Sequence, residues 1–132
     1  MASTPVITET SHAKAPFYWG IDVGGTGIKI GLVDSGGQTL VYERIATHES
    51  EGPDSAVQRI VEIIRSNEQR LGVAKQVARI GIGAPGPMDL KGGLLVEPPQ
   101  LPSWWKFPIR DVISHLLERP VSFLNDANAA AY

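Results

Sequence analysis

From Phe17 onward the chain reads first with a period of two. "FYWGIDV" (residues 17–23) is aromatic and β-branched and stops at Gly24-Gly25. "GIKIGLVD" then alternates, with Ile28, Ile30 and Leu32 on one face and Lys29, Gly31 and Val33 on the other. "DSGGQ" has turn chemistry, and "TLVYERIAT" alternates again, so three strands joined by two tight turns form an antiparallel meander. The period then changes. Pro53 suits a first helical position, Val57, Ile60, Val61, Ile64 and Leu71 share one helical stripe, and Gly72 marks the stop. Arg59, Glu62, Arg65 and Glu68 lie off that stripe and read as a solvated face. "VARIGIGAP" is a short buried strand ended by Gly83 and Pro85. Pro85 to Pro108 is rich in Gly and Pro and reads as a long, functional loop. "PIRDVISHLLERP" is a second amphipathic helix, with Ile109, Val112, Ile113, Leu116 and Leu117 inward, "VSFLN" a last strand, and "DANAAAY" the first turns of another helix.

The order is β-β-β-α-β-α-β-(α). The two helices connect strands parallel to the first, which predicts a mixed five-stranded sheet in an α/β layer domain. Composition narrows the class without changing this picture. A chain of 132 residues, 42% hydrophobic and 20% charged, suits one globular domain. A net charge of -2 offers no basic footprint, so nucleic acid is not an expected partner. There is no Cys, hence no disulfide and no thiolate zinc site. No apolar run is long enough to span a membrane, and "MASTPVITETSHAKAP" lacks a signal-peptide core. Residues 1–15 are therefore expected to be a disordered leader, residues 16–132 the folded unit, and the location cytoplasmic.

Two constellations carry candidate chemistry. In "WGIDVGGTGIKIG" a phosphate would need several N–H donors at about 2.9 Å, and a Cβ obstructs such an approach. The turn at Gly24 and Gly25 can offer backbone amides, Thr26 a hydroxyl and Lys29 a positive charge. Asp22 would repel phosphate directly, but is sensible if Mg²⁺ lies between them, held directly or through water. The plainer alternative is an ordinary hairpin turn with a solvated lysine. A strand follows these glycines, which sets the turn apart from a Walker loop and from the dinucleotide fingerprint that opens a helix. The second constellation is Asn125-Asp126, at the carboxyl end of the last strand, where ligands bind in open α/β sheets. Asp126 can take a proton from an attacking hydroxyl, or simply cap the following helix. His12, His48 and His115 have no ligand spacing and are not expected to bind metal. Trp104 and Trp105 can pack under the loop or stack on a sugar face, with packing preferred for so large an area.

Taken together, "GIDVGGTGIK", "GIGAPGPMD" and "LNDANAAA" resemble the ROK family of sugar kinases and related repressors, most closely its glucokinases, from about Phe17 to Tyr132. The resemblance implies an actin-like, ribonuclease-H-like ATPase fold, of which this chain would be the N-terminal lobe, stopping at Tyr132 in a barely started helix. It implies ATP and Mg²⁺ as cofactors, a hexose as substrate and a homodimer for the intact protein. Asp22, Gly24, Gly25, Thr26 and Lys29 would form the first phosphate-binding element, with Asp22 toward Mg²⁺. Asp126 would be the catalytic base, Asn125 would bind sugar hydroxyls, and the loop from Gly86 to Gln100 would line the sugar site. The sequence departs from the family in lacking the downstream Glu-x-Gly-His and cysteine-rich zinc motifs. It also reads Pro99-Gln100-Leu101 where Pro-Asn-Leu is usual, an extra methylene that moves the amide by roughly 1.5 Å. The short leader has no room for the winged helix of the repressors. ATP-dependent phosphorylation of glucose is the expected activity of the intact protein. A polyphosphate donor and a non-catalytic half-kinase module are the alternatives, and the chain by itself is expected to be inactive.

Overall fold

The computed structural model describes residues 6–7, 13–84, 88–89, 91–96 and 99–124. Its centre is a six-stranded sheet. In chain order the strands are β1 (Val6–Ile7), β2 (Phe17–Val23), β3 (Gly27–Val33), β4 (Thr39–Ala46), β5 (Val77–Gly83) and, after a small separate hairpin of β6 (Met88–Asp89) and β7 (Leu94–Leu95), β8 (Val121–Leu124). The spatial order is β1-β4-β3-β2-β5-β8. β2, β3 and β4 form the antiparallel meander, and β5 and β8 add on parallel to β2. The crossovers are the helices α1 (Pro53–Leu71) and α2 (Ile109–Leu117). All five expected strands are present.

The sixth strand corrects the reading of residues 1–15 as a wholly disordered leader. Val6 and Ile7 pair with Tyr42 and Val41 along the open edge of β4. An unpaired strand edge is a template for any β-branched segment that reaches it, and this one does. The segment from Pro85 to Pro108 is likewise less irregular than expected, since it holds the β6–β7 hairpin and a short 3₁₀ turn at Pro102–Trp104.

The alternation in β3 survives intact, with Ile28, Ile30 and Leu32 fully buried. Trp19, Ile21 and Val23 of β2 and Ile80 and Ile82 of β5 share that face and meet Val57, Ile60, Val61 and Ile64 of α1 and Ile109, Ile113 and Leu117 of α2. Gly72 ends α1 in a left-handed conformation (φ 69°), its N–H donating to the Glu68 carbonyl at 2.8 Å. Trp104 is fully buried and meets Phe107 edge-on, with centroids 5.8 Å apart, whereas Trp105 is half exposed. Packing is thus the role of Trp104.

The expectation that α1 carries only a solvated charged face is wrong at two places. Glu68 is buried, with 3% of its surface exposed, and Arg59 is half-buried. Glu68 accepts from the Trp19 indole N–H at 2.8 Å and pairs through both oxygens with the Arg119 guanidinium. Arg59 is bonded to the end of β4, as described below. Among the described residues no helix is long and apolar enough to cross a membrane.

Candidate functional site

The turn between β2 and β3 is built from the inside. Gly24 N–H donates to the Gly27 carbonyl at 2.9 Å and closes the turn. Thr47, just past the end of β4 and fully buried, contributes two donors. Its hydroxyl reaches the Gly24 carbonyl at 2.7 Å, and its N–H reaches the Thr26 carbonyl at 3.0 Å. The carbonyls of Gly24, Thr26 and Gly27 are thereby engaged. Among the described residues the amides of Gly25 and Thr26 carry no hydrogen bond. A trans peptide places its N–H opposite its C=O. With the Gly24 carbonyl directed at buried Thr47, the Gly25 N–H points the other way. A turn with three of its carbonyls occupied and two neighbouring amides unengaged suits an anion.

These glycines are not present for a left-handed backbone, because neither Gly24 nor Gly25 has a positive φ. They permit close approach. A Cβ on Gly24 would lie 3.0 Å from the Gly27 carbonyl oxygen. One on Gly25 would lie 2.8 Å from Cβ and 3.2 Å from the carbonyl oxygen of Gln100.

Register sets the charged groups beside the turn. Arg44, Lys29, Asp22 and Gly83 lie side by side across β4, β3, β2 and β5, on the face opposite α1. Lys29 is exposed and Asp22 half-buried. The ion pairs among the described residues are Arg110–Asp111 and Arg119–Glu68, so Asp22 and Lys29 do not neutralise one another. The Arg44 guanidinium occupies the space a Cβ on Gly27 would need, at 2.5 Å from Nη2. A second cation thus stands over the turn beside Lys29. No group of three or more His, Cys, Asp or Glu placed to hold a metal ion forms among the described residues. A single carboxylate near a phosphate-binding turn is still a donor set that suits Mg²⁺, which binds through one or two carboxylates plus substrate phosphates.

The loop that carries Gln100 is fixed over the turn by a short link. Ser103 donates its N–H to Glu49 Oε1 at 2.7 Å and its hydroxyl to the Glu49 carbonyl at 2.8 Å. The Ser103 amide, followed by its hydroxyl, holds the Glu49 carboxyl below its ordinary pKa. The structure therefore brings together Asp22, Gly24, Gly25, Thr26, Lys29 and Gln100, residues spread over 79 positions. β8 ends at Leu124, in register with Gly83, which itself lies opposite Asp22. Gly86, Asn125, Asp126, His12 and the helix expected from residue 126 lie outside the described residues.

Three residues of the site escape a reading of the sequence: Thr47, Arg59 and Arg44. The Arg59 guanidinium donates to the Ala46 carbonyl at 2.6 Å and to the Thr47 carbonyl at 2.7 Å. A signal for Thr47 and Arg44 exists in the meander. Counting the pairing Gly27↔Ala46 one step further sets Thr47 opposite Thr26, and two steps back sets Arg44 opposite Lys29. That count fails from sequence because β4 contains a bulge, where Val33 pairs with Thr39 but Leu32 with Val41.

The site thus sits on a mixed sheet with both helical crossovers on one face and a glycine turn at the carboxyl end of its first long strand, an α/β layer arrangement. Comparison with known proteins specifies it. The ROK family model matches residues 18–132, and the chain belongs to the ROK family. It is 31% identical over 110 residues to a glucokinase of Thermotoga maritima, covering 83% of this chain and 33% of that protein. It is 34% identical over 114 residues to an N-acetyl-D-glucosamine kinase of Escherichia coli, covering 86% and 36%. Among solved structures it resembles a ROK hexokinase from Thermus thermophilus, with a TM-score of 0.73 and 35% identity over 86% of this chain and 36% of that one. It also resembles a ROK glucokinase from Streptomyces griseus in complex with glucose and AMPPNP, with a TM-score of 0.66 and 32% identity over 88% and 35%. The chain spans about a third of the length of the relatives it matches.

Proposed function

We propose that the intact protein is a cytoplasmic sugar kinase that transfers the terminal phosphoryl group of ATP to a hexose, most simply to the 6-hydroxyl of glucose, with this chain supplying the phosphate-binding side of the cleft. The observation that carries the reading is the turn at Gly24–Gly27. Its Gly24, Thr26 and Gly27 carbonyls are engaged, its Gly25 and Thr26 amides carry no hydrogen bond among the described residues, and Lys29 and Asp22 stand beside it. Sugar kinase relatives, one of them solved with glucose and AMPPNP, support the donor and the acceptor class.

In this reading the Gly25 and Thr26 amides, the Thr26 hydroxyl and the Lys29 ammonium hold phosphate oxygens as charge develops on them. Asp22 would hold Mg²⁺, directly or through water, and that ion when bound would neutralise charge on the phosphates. Gly86, Gln100 and Asn125 line the sugar. Asp126 accepts the proton of the attacking hydroxyl while its oxygen bonds to the terminal phosphorus and the bond from that phosphorus to the leaving ADP oxygen breaks. Contact between Gln100 and Gly25 would put acceptor and donor within one turn of each other, and positioning of that kind dominates phosphoryl transfer.

The test is Asp126→Asn in the intact protein. Turnover should fall at least ~100-fold, the scale of general-base loss, with glucose affinity by calorimetry retained. Turnover near wild type would remove Asp126 from the role. Parallel kcat/KM values for glucose and N-acetylglucosamine decide the acceptor, and replacing ATP by polyphosphate tests the donor. The 132-residue chain alone, given ATP, Mg²⁺ and glucose, should form no product.

A further inference from the structure

The glycines that make the turn accessible also make it loose. A peptide unit flanked by two glycines can turn over with little steric penalty, and turning over the Gly24–Gly25 unit would point a carbonyl where an N–H is needed. Something must fix that plane, and it is not the hairpin ladder, which closes through the Gly24 N–H and says nothing about the Gly24 carbonyl.

The geometry assigns this task to Thr47, backed by Arg59. We infer that the Thr47 hydroxyl, at 2.7 Å from the Gly24 carbonyl, is a peptide-plane clamp that keeps the Gly25 N–H directed at the ligand side. Four observations support it. Thr47 lies 23 residues from Gly24 and is fully buried, so water cannot replace its hydroxyl as donor. Its own N–H engages a second carbonyl of the same turn, that of Thr26. The Arg59 guanidinium grips the carbonyls on both sides of the Thr47 amide nitrogen and α-carbon, those of Ala46 and Thr47, and so ties the clamp to the first turns of α1. Arg59 Nε is buried with no partner among the described residues, so the side chain is placed for these two contacts at the expense of its Nε–H. The Thr47 hydroxyl is buried on the Gly24 carbonyl and the Arg59 guanidinium on the end of β4, so both act through the turn and are positioning residues. The inference deepens the phosphate reading of the turn and rests on it.

The experiment uses the full chain, amide-resolved NMR and inorganic tripolyphosphate as the probe. In the wild type, tripolyphosphate should shift the Gly25 and Thr26 amide resonances. Thr47→Val keeps the shape and removes the donor. It should move the Gly24 carbonyl ¹³C resonance, read through the Gly25 amide, upfield as its donor is lost, and weaken tripolyphosphate binding about tenfold, the scale of one buried hydrogen bond. The Ile80 and Ile82 amides of β5 should exchange at wild-type rates, which separates loss of the clamp from loss of the fold. Thr47→Ser restores the hydroxyl and should return the carbonyl resonance toward its wild-type position and the affinity to within about twofold of wild type. Arg59→Lys, which keeps the charge but loses the two-pronged grip, should fall between them. A wild-type Gly24 carbonyl shift and affinity in Thr47→Val, or equal damage in Thr47→Val and Thr47→Ser, would overturn the clamp. A wild-type chain that ignores tripolyphosphate would overturn the phosphate reading instead, while the Gly24 carbonyl shift would still decide whether Thr47 holds the turn.

Discussion

The two ends of α1 carry similar charged residues with different tasks. Near its C-terminus, Glu68 is buried and fully occupied, taking the Trp19 indole and the Arg119 guanidinium and joining β2, α1 and the entry to β8. Near its N-terminus, Arg59 holds the end of β4, which in turn holds the glycine turn through Thr47. One network closes on itself. The other ends in Gly25 and Thr26 amides that no described group engages. A self-satisfied buried cluster specifies a fold, whereas a cluster that directs satisfied groups inward and leaves donors outward specifies a site.

The sharpest way to break this comparison is to open the closed network. Glu68→Ala removes one partner from a buried pair and strands both the Trp19 N–H and the Arg119 guanidinium. It should cost about 3–5 kcal/mol in denaturant unfolding. Tripolyphosphate affinity at temperatures where the variant is folded should be unchanged. A loss of affinity in the folded variant would mean the two ends of α1 are coupled.

Glycine-to-alanine changes at the other end should do the opposite, harming binding more than folding. Gly25→Ala collides with Cβ and the carbonyl oxygen of Gln100, and so displaces the loop or the turn, at about 1–3 kcal/mol. The nearest atoms met by Gly27→Ala are the guanidinium end of the long Arg44 side chain rather than backbone, so its cost should be the smaller of the two. Chemical denaturation paired with tripolyphosphate titration checks both. Equal effects would show that Gln100 is free to move.

The smallest effects concern pH, and here two carboxylates on the meander oppose each other. Asp34 accepts amides from Lys14 at 3.0 Å, Gly36 at 3.0 Å and Gln38 at 2.8 Å, and these donors, the Lys14 amide foremost, hold its pKa below the ordinary 3.8. Its stabilisation is present above that value and is lost as pH falls through the lowered folded value. Glu43, on the helix side of the sheet, is raised above 4.5 by burial, partly offset by Arg70. Its folded form holds a proton longer than its unfolded form, so stability is lost as pH rises from about 4.5 through the raised value. Asp34→Asn should therefore flatten the acid limb of a Tm-against-pH profile, and Glu43→Gln should remove a loss just above it. An unchanged acid limb in Asp34→Asn would show that the unfolded chain keeps the Asp34 turn.

Much of the fold was legible because its signals are local. Alternation in Ile28, Ile30 and Leu32, the stripe from Val57 to Leu71 between Pro53 and Gly72, and the glycines at 24 and 25 each depend on neighbours one to four positions away. The candidate phosphate residues Asp22, Gly24, Gly25, Thr26 and Lys29 were legible for the same reason, since thirteen consecutive residues contain them. Gln100 needed the loop to fold back before its contact with Gly25 existed.

What only the tertiary structure decided is which polar group meets which. Leu40 and Val41 are both buried because a bulge gives β4 one residue more than β3 there, and that single residue sets whether Arg44 or its neighbour stands beside Lys29. Arg59 and Glu68 read alike as surface charges on a helix, but one is drawn to the end of β4 and the other to Trp19 and Arg119, partners 12 to 51 residues away. The sequence by itself determined five strands of the main sheet, its two helices and the glycine turn, because periodicity and turn chemistry act within a few residues. The direction of the turn's peptide planes was decided by Thr47, because a hydrogen bond across 23 residues exists only once the register of the meander is set.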